Sequence, residues 1–420
     1  MSSKKVYLNG RVWNPFSGQF EVQNILVANQ KIAGLGYLPD EDEDQLEQID
    51  LKNKWLIPFV IDSYVTLTEP GFEDRDTLDT LAKAANNGGI YGVLTTPSSE
   101  PCVDTPEMVD FLRLKASKAG LNAFPMGAIT KQRQGKELAE MGLMSKAGAI
   151  AFTDDGPIED PFVMTLALQY SKSLAKPLVI FPLDTRLHNN GVMNESYLSS
   201  LLGLKGSPVV AETVCISRDL QLLKHTGGHI HFFPVTCAES VSLIRDAKAQ
   251  GLSVTCGTAP QYFCSDESAV QHYDSMSKCL PPLRSTADVT AIIDGIKDGT
   301  IDCIASHHEP TTVDDKRTDF SSAGFGISGL DVLVPLTITA LYQKHNVPMT
   351  TILKCLTTNP IKIFKIPVSE IKLGHAAQFY VFDSKQEQRL TRDKLYSKSK
   401  NTPFLDQPLV GWCTDSIKNG

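Results

Sequence analysis

The chain has 420 residues, 42% hydrophobic and 21% charged, which suits a globular protein with one large α/β domain and a small accessory one. The net charge of −8 comes without a basic patch, which argues against nucleic acid as a main partner. No apolar run reaches the length of a membrane span and the first residues lack the pattern of a secretory leader, so a cytoplasmic protein with no membrane partner is expected.

Residues 6–35 read as short strands punctuated by Asn9-Gly10 and Asn29-Gln30, the pattern of small antiparallel hairpins. The acidic run at residues 40–44 reads as a solvated loop. Residues 56–71 (L-I-P-F-V-I-D-S-Y-V-T-L-T-E-P-G) form an apolar, β-rich stretch ending in a turn signal, and an amphipathic segment follows at residues 76–87. At the end of such a strand in a barrel, side chains point into the mouth where active sites form. Here they are Tyr64 and Thr66, neither a good metal ligand.

Strands and helices then alternate. Strands are predicted at residues 90–96, 123–129, 149–153, 177–181, 229–235, 253–257 and 301–305. Helices are predicted at 105–119, 136–146, 161–174, 211–226, 238–250, 285–298, 330–345 and 349–356. About eight repeats are what a (β/α)8 barrel, an α/β fold, needs. Short strands return after residue 372, so both ends should pair into a small β-sandwich domain (1–55 plus 372–420) beside a barrel of 56–371. The final stretch, 401–420, reads equally as a docking arm or a surface tail.

The nine cysteines form no C-x-x-C pair, which leaves buried free thiols rather than a zinc ribbon or a redox dithiol. Gly88-Gly89 reads as a helix C-cap, and neither a phosphate-binding glycine loop nor a G-x-S-x-G elbow is present.

Seven runs in order, spread along nearly the whole chain, resemble the dihydroorotases of the amidohydrolase superfamily, in particular the class found with aspartate transcarbamoylase. They are I-D-x-x-V-x-L-x-E-P-G-F-E (61–73), A-I-T-K-x-x-x-G-K-E-L-A-E-M-G (128–142), A-F-T-D-D-G (151–156), C-A-E-S-V (237–241), P-P-L-R-S (281–285), G-F-G-I-S-G-L (324–330) and T-T-N-P-I-K-I-F (357–364). The resemblance implies an amidohydrolase-type TIM barrel and, for active members, two zinc ions that polarise a ring amide and generate a hydroxide nucleophile.

The same resemblance locates the losses. The family's His-x-His corresponds to Tyr64 and Thr66, two later histidines to Phe181 and Pro234, and the Asp that binds metal and acts as general base to His307. Of six ligand positions one keeps its residue, Asp154, with Asp155 as the adjacent alternative. Substrate-gripping positions correspond to Thr68, Ser98, Leu280 and Thr311, while His308 and Arg284 are retained pocket residues. The family zinc is therefore expected to be lost, and no cofactor is expected. His229-x-His231 resembles a zinc motif, but isolated pairs need further ligands and a structural role is expected. Asp154, His231 and His307 are the weak candidates for a new mononuclear site.

The expected function is that of a catalytically inactive dihydroorotase-like protein of pyrimidine biosynthesis, a structural partner of the aspartate transcarbamoylase catalytic chain, dimeric within a larger assembly. Two alternatives stand beside it. One is an active cyclic-amide hydrolase, dihydroorotase or allantoinase-like, with an altered metal site; the other is an interaction scaffold like the dihydropyrimidinase-related proteins.

Overall fold

The computed structural model describes residues 4–36 and 46–417, so the acidic run at 40–44 lies outside the described residues. Five strands open the chain: β1 (Lys4–Asn14), β2 (Gln19–Ala28), β3 (Lys31–Leu35), β4 (Leu46–Asp50) and β5 (Trp55–Ile57). The barrel begins with β6 (Ile61–Val65), β7 (Gly92–Thr95), β8 (Asn122–Gly127), β9 (Ala151–Phe152) and β10 (Leu178–Ile180). A two-stranded insert, β11 (Met193–Asn194) and β12 (Gly206–Ser207), precedes the barrel strands β13 (Ile230–Phe232), β14 (Val254–Thr258) and β15 (Cys303–Ile304). The chain closes with β16 (Phe379–Asp383), β17 (Gln388–Arg389), β18 (Pro408–Leu409) and β19 (Trp412–Ile417).

The eight barrel strands run in the order β15-β14-β13-β10-β9-β8-β7-β6, with parallel pairing throughout. A parallel bridge between Val65 and His308 brings the two ends of this sheet together. Helices cover the outside, so strands such as β6, β7 and β13 are buried on both faces and read as continuous apolar runs. The two ends of the chain build a seven-stranded sheet, β19-β16-β5-β1-β2-β3 with β4 beside β1. No described helix is long and apolar enough to cross a membrane.

Local chemistry explains the boundaries. Thr77 caps the helix Leu78–Asn87 in a capping box with Thr80, and Thr105 caps Pro106–Lys118. Asp160 followed by Pro161 starts Pro161–Leu174, and Ser285 with Asp288 boxes Thr286–Asp298. Gly71, at φ +106°, makes the turn after β6, where an added Cβ would lie 2.6 Å from the Glu100 carbonyl oxygen.

Two predicted helices differ from the observed ones. The helix expected at 136–146 is only Met141–Ala147, because Glu137 and Ala139 bond back to Lys131 and Ile129 across a Thr130–Leu138 bridge. That tertiary pairing overrides helix propensity. The segment expected as one helix at 330–345 is a 3₁₀ turn, a short α-helix and a π-helix in succession (Leu330–Val332, Leu333–Thr337, Ile338–Lys344).

Candidate functional site

The mouth of the barrel lies at the C-terminal ends of the strands, where β6 delivers Tyr64 and then Thr66. Tyr64 is buried, and its ring stacks on Phe233 with centroids 4.4 Å apart and 26° between the planes. Its hydroxyl donates to Asp155 Oδ1 at 2.5 Å. The Ser98 hydroxyl donates to the other oxygen of Asp155 and pairs with Thr96 Oγ1 at 2.9 Å. One carboxylate after β9 thus ties together the ends of β6 and β7. Burial, and then the Asp155 charge, hold the Tyr64 phenol well above its usual range.

His307 occupies the centre of this arrangement. Its ring meets Tyr64 (5.7 Å) and Phe233 (5.4 Å) edge to face, and Phe181 (6.4 Å) and Tyr262 (6.5 Å) at a tilt. Among the described residues the one polar partner of its ring is Gln261 Nε2, 3.3 Å from Nδ1. Burial pushes the His307 imidazole down to about 3, so it is neutral at pH 7 and a poor proton acceptor. Its backbone, at φ +50°, is in the left-handed region that histidine tolerates better than most residues.

The two aspartates of the T-D-D-G run have opposite orientations. Asp154 Oδ1 accepts from the backbone N–H groups of Ile129 (2.8 Å) and Thr130 (2.9 Å), and Oδ2 from the Thr130 hydroxyl (2.5 Å). This carboxylate fastens the loop after β8. Asp155, the adjacent alternative, is the one that faces the mouth. Likewise, the aromatic ring in the mouth after β13 belongs to Phe233, the residue before Pro234. A short sequence run does not reveal which of two neighbours points inward, and both signals become readable only with strand register.

The remaining expected positions are distributed as follows. Phe181 and Leu280 line what remains of the mouth, with Thr66 at its edge. Thr68 is buried and donates to the Asp76 carbonyl at 2.9 Å. Thr311 is buried with its hydroxyl oxygen unpaired, and its N–H donates to Asn401 Oδ1 at 3.3 Å. His308 Nε2 lies 3.1 Å from Asp76 Oδ2, and its Nδ1 accepts from the Leu330 N–H at 3.4 Å. Arg284 is away from the mouth, pairing with Glu212 at 3.7 Å and donating to Asn194 Oδ1 (3.0 Å) and the Ser207 carbonyl (2.9 Å).

The trio Asp154, His231 and His307 is not assembled. His229 and His231 both meet Thr255 Oγ1 at 2.9 Å, and His231 packs against Phe364. Burial pushes His229 down to about 4 and His231 to about 3. Nor is the last stretch a free arm: Asn401, Thr402, Phe404, Leu409 and Val410 are buried. The Asn401 amide donates to the carbonyls of Glu309 and Gly326, and its oxygen accepts from the Ser328 hydroxyl at 2.5 Å, so this segment braces the loop that carries His307.

A zinc pair does not fit these residues. Phe181, Phe233 and Pro234 offer no side-chain donor atom, and the Tyr64 hydroxyl is taken up by Asp155. Among the described residues no group of three or more His, Cys, Asp or Glu side chains is placed to hold a metal ion. A cavity of about 270 Å³ remains, and Asp155, Phe181, His188, Leu280, His307 and Glu309 are among the residues that line it. Sequence reading did not single out Glu309 or His188, since a lone Glu after two histidines, or a lone His before Asn-Asn, carries no motif.

The architecture is that of the hydantoinase-type amidohydrolase barrels. It superposes on the L-hydantoinase (dihydropyrimidinase) of Arthrobacter aurescens with a TM-score of 0.87 at 20% identity, covering 100% of this chain and 95% of that one. For the dihydropyrimidinase of Brevibacillus agri NCHU1002 the TM-score is 0.83 at 19% identity, covering 99% and 94%. At these identities the likeness is one of fold. The sequence goes further: residues 53–240 match the dihydro-orotase-like family model. The chain is 38% identical over 415 residues to a dihydroorotase of Pelotomaculum thermopropionicum, covering 98% of this chain and 96% of the relative. It is 37% identical over 413 residues to one of Endomicrobium trichonymphae, covering 98% and 97%. The chain belongs to the dihydroorotase family of the amidohydrolase superfamily.

Proposed function

We propose that this chain is a non-catalytic member of the dihydroorotase family, a structural partner of the aspartate transcarbamoylase catalytic chain in pyrimidine biosynthesis. The observation that carries the loss of catalysis is the Tyr64–Phe233 stack, with the Tyr64 hydroxyl bound to Asp155: packed aromatic rings fill the space where metal ligands would converge. A barrel that keeps its scaffold while its mouth is refilled fits a role carried by surfaces rather than by a site. The partnership is supported by the likeness of the motif runs to the transcarbamoylase-associated class. Its test is co-purification of the full-length chain with the transcarbamoylase of the same organism at a fixed ratio; recovery of the two in separate peaks would reject it.

A second reading is an active cyclic-amide hydrolase. It is favoured by the name dihydroorotase carried by relatives at 34–38% identity over nearly the whole chain. In that reading Glu309 is the base, since burial and the Asp155 charge push its carboxyl up to about 7, while His307 is held neutral. General-base assistance alone contributes roughly 10²- to 10⁴-fold. Turnover that falls at least tenfold in Glu309→Gln would establish this reading; no turnover in the parent chain rejects it.

A further inference from the structure

The mouth cavity joins two carboxyl groups to an apolar face, with the neutral polar side chains of Thr66, Thr185 and Asn190 also on its lining. Asp155 and Glu309 both line it, and no lysine or arginine does. Lys316 and Arg75, two of the groups whose fields reach Glu309, are engaged elsewhere. Lys316 Nζ donates to the carbonyls of Ser275, Lys278 and Gly324 at 2.9, 3.1 and 2.8 Å, and the Arg75 guanidinium lies 5.2 Å from the Phe72 ring centroid. The Glu309 carboxylate has no hydrogen-bond partner among the described residues, and burial first, then the Asp155 charge, raise its pKa.

A second observation is independent of the carboxylates. His188, only 8% exposed, lines the same cavity with Nδ1 held 2.8 Å from Ser207 Oγ, which leaves Nε2 without a protein partner among the described residues. When Nδ1–H donates to Ser207, Nε2 is a third acceptor. Phe181 and Leu280 supply the apolar wall. Among the described residues no three acidic or imidazole groups are placed to hold a metal ion, so a bare metal does not suit this cavity. A larger cavity, about 670 Å³, lies beyond the N-terminal ends of the strands, but its wall carries both Asp110 and Arg113 and selects no charge.

We propose that the mouth cavity, with Asp155, Glu309 and His188 on its wall, binds a small primary amine in its ammonium form, its carbon skeleton against Phe181. An ammonium brings three donors and a positive charge, which matches two carboxyl groups without a lysine or arginine beside them, and an aromatic ring adds cation–π attraction. About 270 Å³ is room for a few heavy atoms, below the range of sites for drug-sized ligands. An anionic ligand of the same size would meet two carboxylates and no cation.

The inference rests on the absence of a metal pair from the mouth, which zinc analysis checks separately from amine binding. The test is saturation-transfer NMR on the full-length chain with n-propylammonium, propionate and propionamide as matched probes. The expected result is binding of propylammonium at least tenfold tighter than propionate, with the amide between them. Glu309→Gln should weaken the amine at least tenfold without lowering the thermal midpoint, and Phe181→Trp should exclude all three probes by filling the cavity. Propionate binding as well as propylammonium, or amine binding unchanged in both variants, overturns the proposal.

Discussion

The hydroxyl of Tyr64 donates to Oδ1 of Asp155 at 2.5 Å and so links the end of the first barrel strand to the loop after the fourth. A residue expected from the sequence to stand at a family ligand position thereby serves the fold. Tyr64→Phe removes the donor to a partly buried Asp155 oxygen and should cost about 2 kcal/mol. Tyr64→Ala also opens a cavity against Phe233 and should cost about 4 kcal/mol. Urea unfolding of the two variants checks the order; equal midpoints for parent and Tyr64→Phe would mean that the bond contributes nothing.

Asp154 and Asp155 should separate in mutation. Asp154→Ala strands the N–H groups of Ile129 and Thr130, so a loss of about 3 kcal/mol is expected. Asp155→Ala releases the Tyr64 and Ser98 hydroxyls without stranding backbone N–H groups and should cost less, about 2 kcal/mol. Thermal unfolding compares them, and the reverse ranking would show that the assignment of the two carboxylates is inverted.

Acid should destabilise the protein through its buried histidines. His229, His231 and His307 have folded-state values pushed down to about 4, 3 and 3 from near 6.5. Between pH 6.5 and 3 the unfolded chain therefore binds more protons than the folded one. Stability is fully present above pH 6.5 and is lost as pH falls through that window, by up to about 1.4 kcal/mol per pH unit for each histidine. His307→Asn keeps a residue that accepts the left-handed backbone and removes one titrating group. Its stability–pH slope below pH 6 should be shallower than that of the parent, and an unchanged slope would show that His307 does not titrate this way.

Glu309 acts in the opposite direction. Its folded-state value, about 7, lies above the unfolded one, so the folded chain binds more protons between roughly pH 4.5 and 7 and loses stability as pH rises through that range. Glu309→Gln should raise the thermal midpoint at pH 8 more than at pH 5. Equal shifts at the two pH values would remove the charge explanation.

The alternation of strand and helix was legible in the sequence because buried parallel strands are continuous apolar runs and helices carry their caps. Tyr64, Thr66, Phe181 and His307 were legible as departures from a family pattern. That Phe233, rather than Pro234, stacks on Tyr64 was not, since neighbouring residues on a strand face opposite ways and the register is set by the whole sheet. Glu309 and His188 were illegible for another reason: each matters only because the fold places it in a cavity with the other. The segment at 136–146 has helical composition, yet the hydrogen bonds of Glu137 and Ala139 to another loop decide its shape.

The proposed loss of catalysis is tested most directly by dihydroorotate ring opening in the full-length chain supplied with zinc. No turnover above the uncatalysed rate is expected, including in a Tyr64→His, Thr66→His double variant, because Phe181, Pro234 and His307 still leave the ligand set incomplete. Turnover that rises in proportion to bound zinc would contradict the account.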